Sequence, residues 1–239
     1  MKSVYLFVHI EKTAGQTLRD HFIRHMRFHE NFIHLGFYGE RVARESGLLE
    51  FAQRSREQRA NAEVVLGHFV DFETPHLIPG KKPRFVTFLR EPAERMISLY
   101  NFTMHRVHEA HDLPIPRFED WWSEGKRQSQ VNWIVQKVLK KDPAGMSRDA
   151  IFELAVNALN AFWFVGTVAT FERDTSYLMK YMGLPPVDAH ARSNVSGVHF
   201  KRTVTLTAAL LELITTELAD DVALYNHFLR RRQTAIDPD

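Results

Sequence analysis

The residues best suited to chemistry occupy a short turn between a predicted strand and a predicted helix. This turn covers residues 9–18 and has the sequence HIEKTAGQTL. Small residues at 13–15 let the backbone approach a ligand closely, and the free N–H groups at the start of the helix carry partial positive charge. Lys12 adds a full positive charge, and the hydroxyls of Thr13 and Thr17 add hydrogen-bond donors. The turn therefore predicts a phosphate or sulfate site, although an ordinary turn with a solvated lysine has the same pattern.

The position of its glycine distinguishes this turn from a Walker A loop. That loop, G-x-x-x-x-G-K-[ST], has two glycines before its lysine, whereas the single glycine of this turn follows the lysine. The residues predicted to contact the anion are Lys12, Thr13, Ala14, Gly15, Gln16 and Thr17.

A second candidate anion site follows the predicted strand at residues 85–89. Arg90 ends that strand at the edge of the sheet where α/β proteins bind ligands. Its guanidinium can bind a phosphate through two parallel hydrogen bonds. The alternative is an ion pair between Arg90 and Glu91 or Glu94 at the start of the next helix.

Two other side chains of this predicted helix are polar. Ser98 lies two helical turns beyond Arg90 and can add a hydroxyl to the same site. Its alternative is a buried hydroxyl bonded to the preceding turn of the helix. Arg95 is predicted to lie at the surface or in an ion pair rather than to bind a ligand.

The elements that must position these side chains alternate between strands and helices. Short apolar runs predict strands at residues 4–10, 63–67, 85–89 and 162–165. Longer amphipathic runs predict helices at residues 16–28, 41–59, 92–104, 118–123, 130–139, 148–159, 171–182, 206–218 and 222–231, with a polar loop at 187–203. This order predicts an α/β fold, a mostly parallel sheet flanked by helices, in a single domain over residues 1–239.

Composition narrows the class of protein further. The 239 residues include no cysteine, which excludes disulfides and thiolate catalysis, and the formal net charge is only +2. Such a small excess is unlike that of proteins that coat nucleic acid. The apolar run at residues 5–8 is too short for a signal peptide, and no stretch approaches the roughly 18 apolar residues of a membrane span. We therefore expect a cytoplasmic protein with a small anionic ligand and no nucleic-acid or membrane partner.

Together the two anion segments resemble the 3′-phosphoadenosine 5′-phosphosulfate (PAPS) sulfotransferases, in particular the branch with heparan sulfate 2-O- and 6-O-sulfotransferases and bacterial relatives. In that family a strand–P-K-T-[AG]-G-x-[ST]–helix loop holds the 5′-phosphosulfate, which corresponds here to residues 12–17. A strand–R-[DE]-P-x-x-R-x-x-S–helix segment holds the 3′-phosphate through its first arginine and its serine. Those roles correspond to Arg90 and Ser98. The resemblance implies a P-loop-like sulfotransferase fold.

A third match involves His68. The sequence VVLGHFVDF at residues 64–72 resembles the family's strand that ends in Gly-His, whose histidine is the general base. An acceptor hydroxyl must lose its proton as it attacks sulfur, and a neutral imidazole with a pKa of about 6.5 can accept that proton. The resemblance therefore assigns catalysis to His68 and Lys12, against the alternative that His68 is one surface or core histidine among 13.

The resemblance includes one weaker match and one departure. The segment at residues 190–196 resembles the family's loop over the nucleotide, so Arg192 and Asn194 become candidates for contacts to adenosine or the 3′-phosphate. A solvated loop is the alternative. Glu11 stands where the family has proline, which places a carboxylate beside an anion site, and it must point away or pair with a cation.

The resemblance implies transfer of a sulfuryl group from PAPS to a hydroxyl of a small-molecule or carbohydrate acceptor, with release of adenosine 3′,5′-bisphosphate and no metal ion. Histidines at 21, 25 and 29 have metal-ligand spacing but lack a carboxylate on their face, so we expect no metal site there. The alternatives are a P-loop-like nucleotide-dependent kinase and a non-catalytic nucleotide-binding module.

Overall fold

A computed structural model describes residues 2–36, 46–104, 111, 113–125, 128–188 and 204–236. Within these residues, five strands form one sheet in the order β2-β3-β1-β4-β5, and every neighbouring pair is parallel. The strands are β1 (Ser3–Val8), β2 (Phe32–His34), β3 (Val64–Gly67), β4 (Lys82–Leu89) and β5 (Phe164–Thr167). The predicted α/β fold with a parallel sheet is confirmed.

α-Helices follow β1, β2, β4 and β5 in the chain, whereas β3 is followed by a short 3₁₀ turn, Thr74–Leu77. The α-helices are α1 (Gly15–His25), α2 (Ser46–Gln53), α3 (Arg56–Ala60), α4 (Pro92–Thr103), α5 (Phe118–Ser123), α6 (Gln130–Trp133), α7 (Arg148–Asn160), α8 (Phe171–Met182), α9 (Ala208–Glu217) and α10 (Ala219–Ile236). A π-helical turn, Ile134–Val138, continues α6. None of the helices in the described part of the chain is long and apolar enough to cross a membrane.

The sheet is apolar on both faces because helices cover both. Leu6 and Val8 of β1 face a cluster that includes Leu224 of α10, while Phe7 between them faces a second cluster with Phe22 of α1. Continuous apolar runs are expected of parallel strands that are buried on both sides. This burial fixes the strands, and so fixes the loops at their carboxyl ends, where the candidate residues lie.

Several predicted boundaries were wrong for identifiable reasons. The three-residue strand β2 was not predicted, because so short a run shows no periodicity. β4 begins three residues earlier than expected, since its first residues, Lys-Pro-Arg, do not form an apolar run and the first two are exposed. The predicted helix at 41–59 is interrupted in its described part: Ser55 and Gln58 form a reciprocal capping box that starts α3. β5 is displaced by two residues toward the C-terminus.

Candidate active site

The loop between β1 and α1 has an unusual backbone. Lys12 and Ala14 have φ angles of 68° and 67°, in the left-handed region that non-glycine residues seldom occupy. α1 begins immediately afterwards, and within the described residues no side chain caps its start. Its first N–H groups therefore remain available to an anion. Left-handed residues next to an uncapped helix start can direct several backbone N–H groups toward one anion.

Close packing explains the glycine of this loop. A Cβ atom added to Gly15 would lie 2.1 Å from the ring of His9, which follows β1. The imidazole of His9 thus occupies the space of the missing side chain. Any larger residue at 15 must displace either this ring or the loop.

Hydrogen bonds within the loop use some side chains that were predicted to contact the anion. Thr13 Oγ1 donates to the Ile10 carbonyl at 2.8 Å, and Gln16 Nε2 donates to Asp20 Oδ1 at 2.7 Å. These side chains hold the loop and the first turn of α1 in shape. What Thr13 and Gln16 can offer an anion is therefore their backbone N–H groups.

Lys12 lies at the centre of the loop. Its ammonium nitrogen is 4.2 Å from the centre of the Phe102 ring on α4, a cation–π contact. Burial, followed by the positive charge of Arg90, lowers the pKa of Lys12 to about 8, while Glu11 opposes the shift. The ammonium is thus poorly solvated, and a bound anion would restore its charge stabilisation.

His68 follows β3 and stacks on His9. The two ring centres are 4.3 Å apart, and His68 Nδ1 lies 2.6 Å from the His9 carbonyl oxygen. Because a carbonyl can only accept, Nδ1 must carry the proton, and the lone pair of the neutral ring is on Nε2. Gly67, just before His68, lets the backbone that follows β2 pack closely, since a Cβ there would lie 1.8 Å from the Leu35 carbonyl oxygen.

Electrostatics keep His68 in the form that a base needs. Burial lowers the pKa of His68, while the Glu11 carboxylate and the hydrogen bond to His9 oppose that shift. A lowered pKa leaves the imidazole neutral at pH 7, with Nε2 able to accept a proton. The negative charge of Glu11 also opposes the lowering of the pKa of Lys12 and of Arg95 by burial, so this departure from the family motif is balanced by neighbouring cations.

Arg90 connects the two predicted anion segments. Its Nη1 donates to the Lys12 carbonyl at 3.3 Å, which places the guanidinium beside the loop. The Glu94 carboxylate is 3.6 Å from Nε, and that buried Nε makes no hydrogen bond within the described residues. The Glu94 side chain is largely exposed, so the ion pair considered from the sequence is weak. A buried donor without a hydrogen bond beside an anion loop fits a phosphate ligand.

Arg95 was predicted to lie at the surface or in an ion pair, and its surface placement is wrong. The residue is completely buried, with 0% exposure. Its Nε donates to the Glu11 carbonyl at 2.9 Å and its Nη1 donates to the Gln128 carbonyl. The sequence contained a signal for this burial that we missed. By helical spacing, position 95 shares a face of α4 with Pro92 and Leu99, which are also buried.

The remaining predicted residues differ in what can be said of them. Thr17 and Ser98 are partly exposed on α1 and α4. Arg192 and Asn194 lie outside the described residues, as does most of the predicted loop at 187–203. In the described part of the chain, no group of three or more histidine and acidic residues is placed to hold a metal ion.

A buried histidine near the site yields a prediction for stability. Burial, with Arg19 and neighbouring histidines, lowers the pKa of His34 at the end of β2 to about 3. A histidine with a lowered pKa contributes stability that is complete above the unfolded pKa of about 6.5 and is lost as pH falls toward 3. Between pH 7.5 and pH 5 the loss from this residue is about 2 kcal/mol.

We therefore expect His34→Gln to flatten the pH dependence of unfolding. The free energy of unfolding, measured in urea at pH 7.5 and pH 5, should fall less in this variant than in the wild type. His76→Gln is the matched control because His76 is exposed. Equal losses in all three proteins would show that His34 is not buried in neutral form.

The family follows from comparison with known proteins. The model of the sulfotransferase family matches residues 2–222, almost the whole chain. The protein therefore belongs to the sulfotransferase family, and this membership supports sulfotransfer as its activity. A comparison with curated proteins finds no match. The family suggested by the two anion motifs is confirmed.

Proposed function

We propose that this protein transfers a sulfuryl group from PAPS to a hydroxyl of a small-molecule or carbohydrate acceptor and releases adenosine 3′,5′-bisphosphate. The contact between Arg90 and the Lys12 loop carries this proposal. Arg90 Nη1 donates to the Lys12 carbonyl at 3.3 Å, so the two proposed anion-binding elements, the Arg90 side chain and the Lys12 loop, lie side by side. A nucleotide with phosphate groups at both the 5′ and 3′ positions of one ribose suits such a pair.

The proposed contacts divide between the two elements. The backbone N–H groups of residues 13–17 and the Lys12 ammonium hold the 5′-phosphosulfate. Arg90 and Ser98 hold the 3′-phosphate, which selects PAPS over ATP. Arg192 and Asn194 are assigned to adenosine or the 3′-phosphate on the family resemblance alone. Because the chain has no cysteine, we also propose a reducing, cytoplasmic location.

The proposed reaction is an in-line displacement at sulfur. The acceptor oxygen forms a bond to sulfur while the bond from sulfur to the 5′-phosphate oxygen breaks. His68 Nε2 takes the proton of the acceptor hydroxyl, and Lys12 neutralises the charge that develops on the leaving phosphate oxygen. Catalysis then consists of positioning and charge stabilisation by this chain's own residues, and the proposal includes no metal ion.

Transfer from radiolabelled PAPS to a panel of hydroxyl acceptors tests the proposal. We expect the label to appear on at least one acceptor, in step with release of adenosine 3′,5′-bisphosphate. Phosphoryl transfer from ATP with Mg²⁺ would instead identify a kinase. Nucleotide binding with transfer from neither donor would favour a non-catalytic module.

The lowered pKa of Lys12 predicts how nucleotide affinity depends on pH. The phosphate binds the protonated ammonium, so binding weakens as pH rises through about 8. Between pH 7 and pH 9, affinity for adenosine 3′,5′-bisphosphate should fall about tenfold by calorimetry. The Lys12→Arg variant keeps its charge and should show a flat profile over this range. A wild-type profile as flat as that of the variant would place Lys12 outside the phosphate site.

A further inference from the structure

Gln130 holds the backbone of Arg90 from both sides. Its Oε1 accepts from the Arg90 N–H at 3.1 Å, and its Nε2 donates to the Arg90 carbonyl at 3.0 Å. Gln130 is completely buried at the start of α6, far along the chain from either anion motif. Two hydrogen bonds from one buried amide fix the position from which the Arg90 side chain extends.

Arg95 holds the anion loop in a corresponding way. It reaches the Glu11 carbonyl through Nε and the Gln128 carbonyl through Nη1, so one guanidinium links the loop to the segment that leads into α6. A fully buried cation is costly unless carbonyl oxygens or a carboxylate compensate its charge. Moving the Glu11 or the Gln128 carbonyl away would leave the charge of Arg95 less well compensated. Both carbonyls are therefore held in place.

Asp221 of α10 completes the assembly. Its carboxylate accepts from the N–H groups of Gln130 and Val131 at 2.7 and 3.1 Å, and from Ser129 Oγ at 2.7 Å. The residue is 1% exposed, and its charge acts on Arg95. Asp221 thus anchors the start of α6, and with it the amide that holds Arg90.

We propose that Gln130, Arg95 and Asp221 form a positioning assembly that fixes the separation between the Lys12 loop and Arg90, and so selects a nucleotide by the spacing of its 5′ and 3′ phosphates. This inference rests on the proposed function. Gln130 contacts the Arg90 backbone, whereas the loop has two contacts besides the one from the Arg90 side chain: the hydrogen bond from Arg95 and the one between Thr13 and Ile10. Loss of Gln130 should therefore impair recognition of the 3′-phosphate while leaving the 5′-phosphate cradle in place.

Calorimetry with adenosine 3′,5′-bisphosphate and adenosine 5′-monophosphate tests whether Gln130 affects the 3′-phosphate site alone. In Gln130→Leu we expect affinity for the bisphosphate to fall about tenfold, as for loss of hydrogen bonds that position a charged donor, and affinity for the monophosphate to stay within about twofold. Gln136→Leu is the control, because it makes the same exchange on the exposed side of the following helical turn. A general loss of stability would lower both affinities together.

A second variant covers the case in which Gln130→Leu fails to fold. Asp221→Asn keeps the size of the side chain but removes its charge and one acceptor, and should shift the ratio of the two affinities in the same direction. Asp220→Asn is its control, since Asp220 pairs with the exposed Arg148 instead. An unchanged ratio in the folded variants would overturn the positioning role. If the wild type binds neither nucleotide, the proposed function itself fails.

Discussion

Replacing His68 with asparagine should reduce kcat for sulfuryl transfer by about 100- to 10,000-fold, the range that a general base contributes. Nucleotide affinity should be unchanged, because asparagine can still donate a hydrogen bond to the His9 carbonyl, which the imidazole contacts at 2.6 Å. What the variant lacks is the lone pair on Nε2. Steady-state kinetics, with calorimetry of adenosine 3′,5′-bisphosphate, separate these two effects.

The pH profile gives an independent check on this role. Since burial lowers the pKa of His68, kcat/KM of the wild type should fall on acidification only below about pH 6.5, the ordinary pKa of histidine. His76→Asn, an exchange at an exposed histidine, should leave kcat and affinity unchanged. Joint loss of turnover and nucleotide binding in His68→Asn would contradict the assignment of His68 as the base.

Replacing Arg90 with alanine should weaken binding of adenosine 3′,5′-bisphosphate by about 10- to 100-fold, the equivalent of a charge-assisted contact of about 1.5–3 kcal/mol. Turnover at saturating PAPS should fall much less, because Arg90 is assigned to the 3′-phosphate rather than to the reacting sulfur. The two hydrogen bonds from Gln130 reach only the backbone of residue 90, so truncation of the side chain leaves them intact.

The control for this variant is Arg117→Ala, which removes an exposed guanidinium on the same protein. Its affinity for adenosine 3′,5′-bisphosphate should equal that of the wild type. The affinity of Arg90→Ala for adenosine 5′-monophosphate, which lacks the 3′-phosphate, should change little. An unchanged affinity for the bisphosphate would remove Arg90 from the nucleotide site.

The parts of the site that the sequence predicts are those encoded by local pattern. Lys12 lies just before a helix because residues 4–25 have the pattern of a strand, a turn of small residues and a helix. Arg90 follows another strand and so lies at the same edge of the sheet. Parallel strands bring such turns together. Local pattern and strand direction were therefore sufficient to place the two candidate anion segments side by side.

The parts that the sequence did not predict depend on contacts between distant segments. Nothing local to Gln130 indicates that its amide holds Arg90, forty residues away in the chain. The stacking of His68 on His9 likewise requires β1 and β3 to be neighbours, which the order of strands in the chain does not specify. Arg95 is a different case, because two sequence signals disagreed. Its helical spacing predicted burial, whereas its charge predicted a surface position.

Titration calorimetry of the wild-type protein with adenosine 3′,5′-bisphosphate and with ADP, without added metal, tests the central claim most directly. The two nucleotides share adenosine and a 5′-phosphate, and only the first has a 3′-phosphate for Arg90 and Ser98. We expect adenosine 3′,5′-bisphosphate to bind about 10- to 100-fold more tightly than ADP. Equal affinity for the two, or no binding of either, would contradict a PAPS site built from the Lys12 loop and Arg90.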